Sequence, residues 1–137
     1  MVVFLRLAFK YRYLNYFSDI GIDYIEIKVP ICSDIYCVRR ADKQWATYKL
    51  GNKIPIVDFG KYNYMWGYDG EYCLVSVYDA DRTTFANRGI INEQGEEVVK
   101  PYTFQGILNF YGKNESFIIV YIGDKMTKLD KKMLELL

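Results

Sequence analysis

Apolar and polar residues alternate along several short stretches of this chain. In residues 5–13 every second side chain is apolar or aromatic, and basic residues occupy three of the four positions between them. A period of two matches a β-strand, in which successive side chains point to opposite faces, and does not match a helix. The same alternation predicts a second strand over residues 24–29, which stops at Pro30 because proline cannot donate to a β-ladder.

Three further stretches have the pattern of β-hairpins, in which two apolar runs flank a short polar turn. They are IYCVRRADKQWATYK at 35–49, LVSVYDADRTTFANRGIIN at 74–92 and FIIVYIGDKMTKLD at 117–130. Runs of β-branched and aromatic residues bounded by aspartate or glycine are typical of strand, turn and strand. Residues 54–59 (IPIVDF) and 73–78 (CLVSVY) also predict short strands.

The stretch NRGIINEQGEEVVKP, residues 87–101, gives a detailed hairpin prediction. Residues 88–92 form one predicted strand, residues 93–95 the turn and residues 96–100 the return strand. Gly95 stands where such a turn needs a positive φ, which glycine adopts at no steric cost. Pro101 ends the return strand.

Two other segments complete the predicted fold. Residues 60–72, GKYNYMWGYDGEY, are interpreted as a glycine- and aromatic-rich loop. The last residues place Leu129, Met133, Leu134 and Leu137 on one helical face, which predicts a short C-terminal helix. The pattern therefore predicts an all-β fold: a meander of roughly ten short strands in consecutive hairpins, forming a barrel or a repeat stack.

Composition narrows the class of protein. A chain of 137 residues suits a single domain, and an aromatic content of 18% favours strands. The chain has no histidine, the residue that most often serves as general acid or base and as zinc ligand. We therefore expect no catalytic residues, no metal site and no cofactor. The cysteines Cys32, Cys37 and Cys73 are odd in number, which predicts free thiols and a cytoplasmic location.

Net charge and the distribution of apolar residues give no sign of a nucleic-acid or membrane partner. A formal net charge of +1 gives no overall field toward nucleic acid or an anionic membrane. The N-terminal run MVVFLRLAFKYRY resembles an export signal, but Arg6, Lys10 and Arg12 interrupt it. We expect an unprocessed protein without a membrane partner.

The predicted hairpins recur at similar intervals. Taking Trp45, Arg88 and Met126 as equivalent positions gives spacings of 43 residues (88 − 45) and 38 residues (126 − 88). Recurrence at such a period is typical of repeat proteins, in which one unit buries its apolar face against the next.

These units resemble the WG (KWG) repeat family of bacterial β-hairpin proteins. In residues 87–101 the family's marked positions hold Gly89, Ile91, Asn92, Gly95, Val98, Val99 and Pro101. Arg88 stands where the family usually has tryptophan. A second copy, KQWATYKLGNKIPIVD, matches at Lys43, Trp45, Gly51, Ile54 and Pro55, with Ala46 in place of glycine and a slightly shorter turn.

The resemblance covers residues 35–130, and residues 1–30 form N-terminal strands outside it. The stretch DKMTKLD, residues 124–130, would be a terminal half unit that lacks the glycine turn. The resemblance implies hairpin modules used for interaction, with no shared catalytic residues.

Two groups of residues are candidate binding sites. The aromatic loop offers five rings as a partner-binding site: Tyr62, Tyr64, Trp66, Tyr68 and Tyr72. Tyrosine and tryptophan supply large contact areas at low entropic cost. Basic residues among or near aromatic residues are a candidate contact for single-stranded nucleic acid: Lys10, Arg12, Arg39 and Arg40. The structural alternatives are rings packed on the sheet and the solvated face of an edge strand.

We therefore expect a non-enzymatic protein-interaction module that presents aromatic loops on a β-hairpin scaffold. One open alternative is a small inhibitor or immunity-type protein from a mobile element, which occludes a larger enzyme. The others are binders of single-stranded nucleic acid or of carbohydrate, for which aromatic rings serve as stacking platforms.

Overall fold

The computed structural model describes residues 15–78, 86–108 and 117–136. Within these residues a helical segment at 15–19 precedes ten β-strands, and a 3₁₀-helix follows them. The elements are β1 (Tyr24–Lys28), β2 (Ile35–Arg40), β3 (Trp45–Lys49), β4 (Tyr64–Asp69), β5 (Tyr72–Ser76), β6 (Arg88–Ile91), β7 (Glu97–Val99), β8 (Gly106–Ile107), β9 (Phe117–Ile122), β10 (Lys125–Asp130) and the 3₁₀-helix Lys131–Leu136. The predicted all-β fold class is confirmed.

The strands form three antiparallel sheets in chain order. The first sheet contains β1–β3, the second β4–β7 and the third β8–β10, and every strand pairs with its neighbour along the chain. Each sheet is therefore a meander, as the hairpin pattern predicts. Among the described residues the strands form three separate sheets and do not close into a barrel.

The predicted hairpins are present with the expected pairing. β2 pairs with β3 across the turn at 41–44, and β9 pairs with β10 across Gly123 and Asp124. β5 also pairs with β6, although residues 79–85 between them lie outside the described residues. In the β6–β7 hairpin, Gly95 has a φ of +78° and its N–H donates to the carbonyl of Asn92 at 3.0 Å.

The prediction of a strand over residues 54–59 is wrong. Only one bridge forms there, between Thr47 of β3 and Val57. The N–H of Val57 donates to the side-chain oxygen of Thr47 at 2.9 Å, and Pro55 has no N–H to donate. Both features limit the pairing of this segment with β3 to one residue pair. Ile54, predicted to begin the strand, is 80% exposed.

Three other predictions differ from the structure or lie outside it. Residues 64–69 of the predicted aromatic loop form β4, so the loop interpretation is wrong. The C-terminal helix is a single 3₁₀ segment; its Leu134 is buried, but Met133 is 49% exposed. The predicted strand over residues 5–13 lies outside the described residues.

The three sheets are stacked, with one apolar core between the first and second sheets and another between the second and third. The core between the first and second sheets comprises Ile35, Cys37, Trp45, Val57, Tyr62, Met65, Tyr68, Cys73, Val75 and Ile91. The core between the second and third sheets comprises Tyr72, Leu74, Ile90, Val99, Ile107, Ile118, Val120 and Leu134. Successive residues of β5 enter opposite cores, so this strand is buried on both faces. A third cluster, centred on Phe17, packs the helical segment against the first sheet.

The positions aligned as equivalents in the sequence have equivalent places in this stack. Trp45 of the first sheet is fully buried against the second sheet. Arg88 of the second sheet donates from Nη1 to the carbonyl of Ile107 in the third sheet at 2.9 Å. Met126 lies in β10, the edge strand of the third sheet, and is 60% exposed. Each of the first two positions therefore contacts the next layer.

The number of residues between the paired positions that follow Trp45 and Arg88 differs by one between the two units. Thr47 pairs with Val57, ten residues later (57 − 47), whereas Ile90 pairs with Val99, nine residues later (99 − 90). The connection in the first unit is therefore longer, whereas the sequence comparison predicts a slightly shorter turn.

Gly89 has a steric role in the second unit. A Cβ atom at this position would lie 2.7 Å from the carbonyl oxygen of Val99 and 2.9 Å from Cδ of Pro101. Real Cβ atoms do not approach other atoms so closely, so glycine allows the return strand and Pro101 to cross β6 here. Gly89 and Pro101 are therefore coupled by this close contact.

We expect Gly89→Ala to lower the free energy of unfolding by about 1–3 kcal/mol, the usual cost of overpacking. Urea denaturation measures this loss. The double variant Gly89→Ala, Pro101→Ala should lose less than the sum of the single variants, because removing the proline ring makes room for the methyl group. Strict additivity would contradict the proposed contact.

Candidate functional site

Two aromatic side chains of β4 form the centre of the candidate site. Tyr64 and Trp66 are two residues apart in the strand, and their ring centroids lie 4.6 Å apart at an interplanar angle of 69°. Trp45 of β3 meets Tyr64 at 5.3 Å and 63°. Both contacts are edge-to-face, the arrangement that aromatic quadrupoles favour. The three rings form a continuous row from the first sheet to the second.

A cation lies over each ring of this row. Cζ of Arg39 is 5.9 Å from the centroid of Trp45, and Nζ of Lys28 is 5.5 Å from that of Tyr64. Cζ of Arg88 is 4.7 Å from the centroid of Trp66. Separations within about 6 Å give attractive cation–π contacts. We call these six residues the ring–cation ladder: Lys28, Arg39, Trp45, Tyr64, Trp66 and Arg88.

One carboxylate holds the two cations of the first sheet in place. Glu26 lies 2.9 Å from Nζ of Lys28 and 3.8 Å from Nη1 of Arg39. Partial burial acts to lower the pKa of Lys28, but the interactions with Glu26 and Tyr64 outweigh it and raise that pKa. Desolvation lowers the pKa of Arg88, which nevertheless stays charged because arginine titrates far above neutral pH. The ladder therefore carries positive charge at neutral pH.

A β-bulge in β4 positions the rings. The register with β5 shifts between Met65 and Tyr68, and Gly67 between them has a φ of +100°. A Cβ at Gly67 would lie 3.0 Å from Cβ of Lys28, so glycine also lets β1 approach β4 closely. Bulges bend a strand and redirect its side chains. Here the bulge brings Lys28 to the ring of Tyr64.

The structure separates the five rings predicted to bind a partner. Tyr62, Tyr68 and Tyr72 are buried, with exposures of 1%, 2% and 7%. The hydroxyl of Tyr62 donates to Glu97 at 2.8 Å, and that of Tyr68 donates to the carbonyl of Asn92 at 2.6 Å. These three rings pack within the cores and offer no contact surface. Tyr64 and Trp66 are half-buried and retain some surface.

The basic residues predicted to contact nucleic acid are also separated. Lys10 and Arg12 lie outside the described residues. Arg39 and Arg40 are consecutive in β2, so they point to opposite faces. Arg40 pairs with Asp42 at 2.8 Å and covers the ring of Phe59 at 3.9 Å, away from the ladder.

Sequence reasoning missed two cations of the ladder, Lys28 and Arg88. Each lies on a strand other than β4, and long-range packing brings it to the rings. The available signals were the period-two pattern of residues 24–29 and the arginine at a position where the family has tryptophan.

A cavity of about 370 Å³ lies beside the turn between β4 and β5. Its lining residues are Cys32, Asp69, Gly70, Glu71, Tyr72, Lys131 and Lys132. Carboxylates and ammonium groups both line it, so neither charge sign dominates. It does not include the rings of the ladder.

The chain was compared with protein-family models, with curated proteins and with solved structures. None matches. The resemblance to the WG repeat family therefore stays a prediction, supported by the residues of its motif.

Two further findings concern metals and membranes. Among residues 15–78, 86–108 and 117–136, no three side chains of histidine, cysteine, aspartate or glutamate are grouped as metal ligands. In the same part of the chain, no helix has the length and apolar character required to cross a bilayer.

Proposed function

We propose that this chain is a non-enzymatic protein-interaction module of the WG-repeat type, with the ring–cation ladder as its binding face. The observation that carries the proposal is the placement of Trp66 between the ring of Tyr64 and the guanidinium of Arg88. Aromatic and arginine side chains dominate the binding energy of protein interfaces. Both occur here in one sheet, on β4 and β6, the two strands that flank β5.

Preorganisation supports this function. The rings of the ladder contact one another and their cations, and Glu26 fixes two of those cations. When a partner docks on such a face, the side chains of the module lose little conformational entropy. Because the three cations of the ladder outnumber the one carboxylate beside it, Glu26, an acidic segment of another protein has complementary charge.

The test compares two ring deletions. Trp66→Ala removes the ring at the second-sheet end of the ladder, and Phe59→Ala removes a half-buried ring under Arg40, outside the ladder. The partner is captured by crosslinking and identified by mass spectrometry, and its affinity is then measured by titration calorimetry. We expect Trp66→Ala to weaken binding about ten-fold or more and Phe59→Ala to leave it unchanged.

The opposite ranking of the two variants would place the binding face elsewhere. Circular dichroism of both variants shows whether the fold is kept. If the captured partner is an enzyme, a loss of its activity on titration with the module supports the inhibitor-type mode of action.

Single-stranded nucleic acid is the second candidate ligand, because stacked rings beside cations also bind bases and phosphates. The observation in favour is again Trp66 beside Arg88. Fluorescence anisotropy with labelled DNA and RNA oligomers at low salt tests it. Binding that weakens steeply with salt and is lost in Trp66→Ala supports this ligand, whereas absence of binding at low salt excludes it.

A further inference from the structure

Two buried thiols face each other across the core between the first and second sheets. The sulfur atoms of Cys37 in β2 and Cys73 in β5 lie 3.8 Å apart, and both side chains are fully buried. β2 is the middle strand of the first sheet, and β5 is an inner strand of the second. The pair therefore joins the two sheets through inner strands rather than at their margins.

The geometry is close to that required for a covalent bond. A disulfide has an S–S length of about 2.05 Å, so the two sulfurs must approach by about 1.8 Å. They are already in contact, with one thiol as hydrogen-bond donor to the other. The third cysteine, Cys32, is exposed and lines the cavity beside the β4–β5 turn, so it does not belong to this pair.

We propose that Cys37 and Cys73 are a reversible modification site, at which a small oxidant of the peroxide class forms an intramolecular disulfide that ties the first sheet to the second. The inference does not depend on the proposed interaction function. Its ligand is a small peroxide, and its product is a cross-linked core.

The reaction balances with hydrogen peroxide as oxidant. One cysteine thiolate attacks a peroxide oxygen and breaks the O–O bond, which gives a sulfenic acid and one water molecule. The second thiol attacks that sulfur, the S–S bond forms, the S–O bond breaks, and a second water molecule leaves. Two thiols lose two electrons and two protons, and one hydrogen peroxide becomes two water molecules.

Burial controls the rate of this reaction. The hydrogen bond to Cys73 and desolvation raise the pKa of Cys37 well above its ordinary value, so its thiolate is scarce at neutral pH. Oxidation therefore requires local opening of the core and proceeds faster at higher pH. The exposed Cys32 reacts earlier, so its thiol must be removed before the pair is tested.

The experiment uses the full chain with Cys32→Ser, treated with hydrogen peroxide. We expect the intact mass to fall by two hydrogen atoms and peptide mapping to show a Cys37–Cys73 cross-link. The link closes a loop with a sequence separation of 36 residues. Its chain-entropy effect should raise the midpoint of thermal unfolding by about 10 °C, and a reductant should reverse the change.

Matched controls carry Cys37→Ala or Cys73→Ala in the same Cys32→Ser background. Peroxide should cause neither the mass loss nor the thermal shift in these variants. Addition of oxygen atoms to Cys37 or Cys73 without a cross-link, or cross-links only between molecules, would overturn the proposal. Mapping of the Cys32→Ser protein decides the question even if an alanine variant fails to fold.

Discussion

Replacing Trp45 with alanine is expected to lower the free energy of unfolding by about 3–5 kcal/mol, the range for deletion of a large buried aromatic side chain. The indole is fully buried between the first and second sheets and meets the ring of Tyr64 at 5.3 Å. Alanine leaves a cavity there. The hydrogen bonds of β3 with β2 and of β4 with β5 hold these strands in place, so the two sheets cannot move together to fill it. Urea denaturation followed by circular dichroism and by tyrosine fluorescence measures the loss.

Two variants serve as controls for this prediction. Trp45→Phe keeps an aromatic ring and removes the buried indole N–H, which has no acceptor among the described residues. Because an unpaired buried donor is unfavourable, this variant should lose less than half as much as Trp45→Ala. Trp66→Ala deletes a half-buried indole and should also lose less. Equal losses for the two tryptophan-to-alanine variants would contradict the burial of Trp45 between the sheets.

The sequence predicts most of this fold because the hairpins are encoded locally. The strands of residues 35–49 and 117–130 follow from runs of β-branched and aromatic residues on either side of a short polar turn, and Gly95 and Pro101 define the β6–β7 hairpin. Such patterns do not depend on the rest of the chain. Stacking of the three sheets buries their apolar faces, which is the outcome that the recurrence of the units predicts.

The strand β4 was not predicted because its glycines indicate a loop. In the structure Gly67 lies within a bulge and Gly70 within the turn to β5, with φ values of +100° and +65°. Isolated glycines in an aromatic segment occur in both loops and bulged strands. Only the pairing with β5, a tertiary feature of the chain, distinguishes the two.

The candidate site could be predicted only in part, because the bulge changes which rings face the core. Strict alternation places Tyr64, Trp66 and Tyr68 on one face of a strand. The register shift between Met65 and Tyr68 instead turns Tyr68 into the same core as Met65. The positions of the cations depend on contacts between residues even further apart in the chain, since Lys28 lies in β1 and Arg88 in β6. The sequence singles out the aromatic segment, but it does not indicate which of its rings stay half-buried and which enter the cores.

Stability is expected to fall steeply above about pH 10, because two buried tyrosines cannot ionise in the folded state. Burial is the main cause that raises the pKa of Tyr62, followed by its hydrogen bond to Glu97. Burial also raises the pKa of Tyr68, followed by the nearby thiol of Cys73. Both pKa values lie well above that of a tyrosine in the unfolded chain, which is about 10.

The sign of the effect follows from proton binding. Below pH 10 both states hold these protons and the full stability is present; above it the unfolded chain releases them and the folded protein does not. Each tyrosine then costs about 1.4 kcal/mol per pH unit, so the pair should lose about 5 kcal/mol between pH 10 and 12. Urea denaturation at closely spaced pH values measures the slope.

The raised pKa of the buried Cys37 also lowers stability at high pH. Variants are therefore needed to separate the contribution of the tyrosines from that of this thiol. Tyr68→Phe removes one titrating hydroxyl and should reduce the slope above pH 10 by about 1.4 kcal/mol per pH unit. It should also cost some stability at neutral pH, because the carbonyl of Asn92 keeps the N–H of Gly95 but loses the hydroxyl of Tyr68 as a second donor. Tyr78→Phe, at a residue that is 70% exposed, should leave the slope unchanged. Equal effects of Tyr68→Phe and Tyr78→Phe on the slope would contradict this prediction. They would mean that the hydroxyl of Tyr68 ionises in the folded protein.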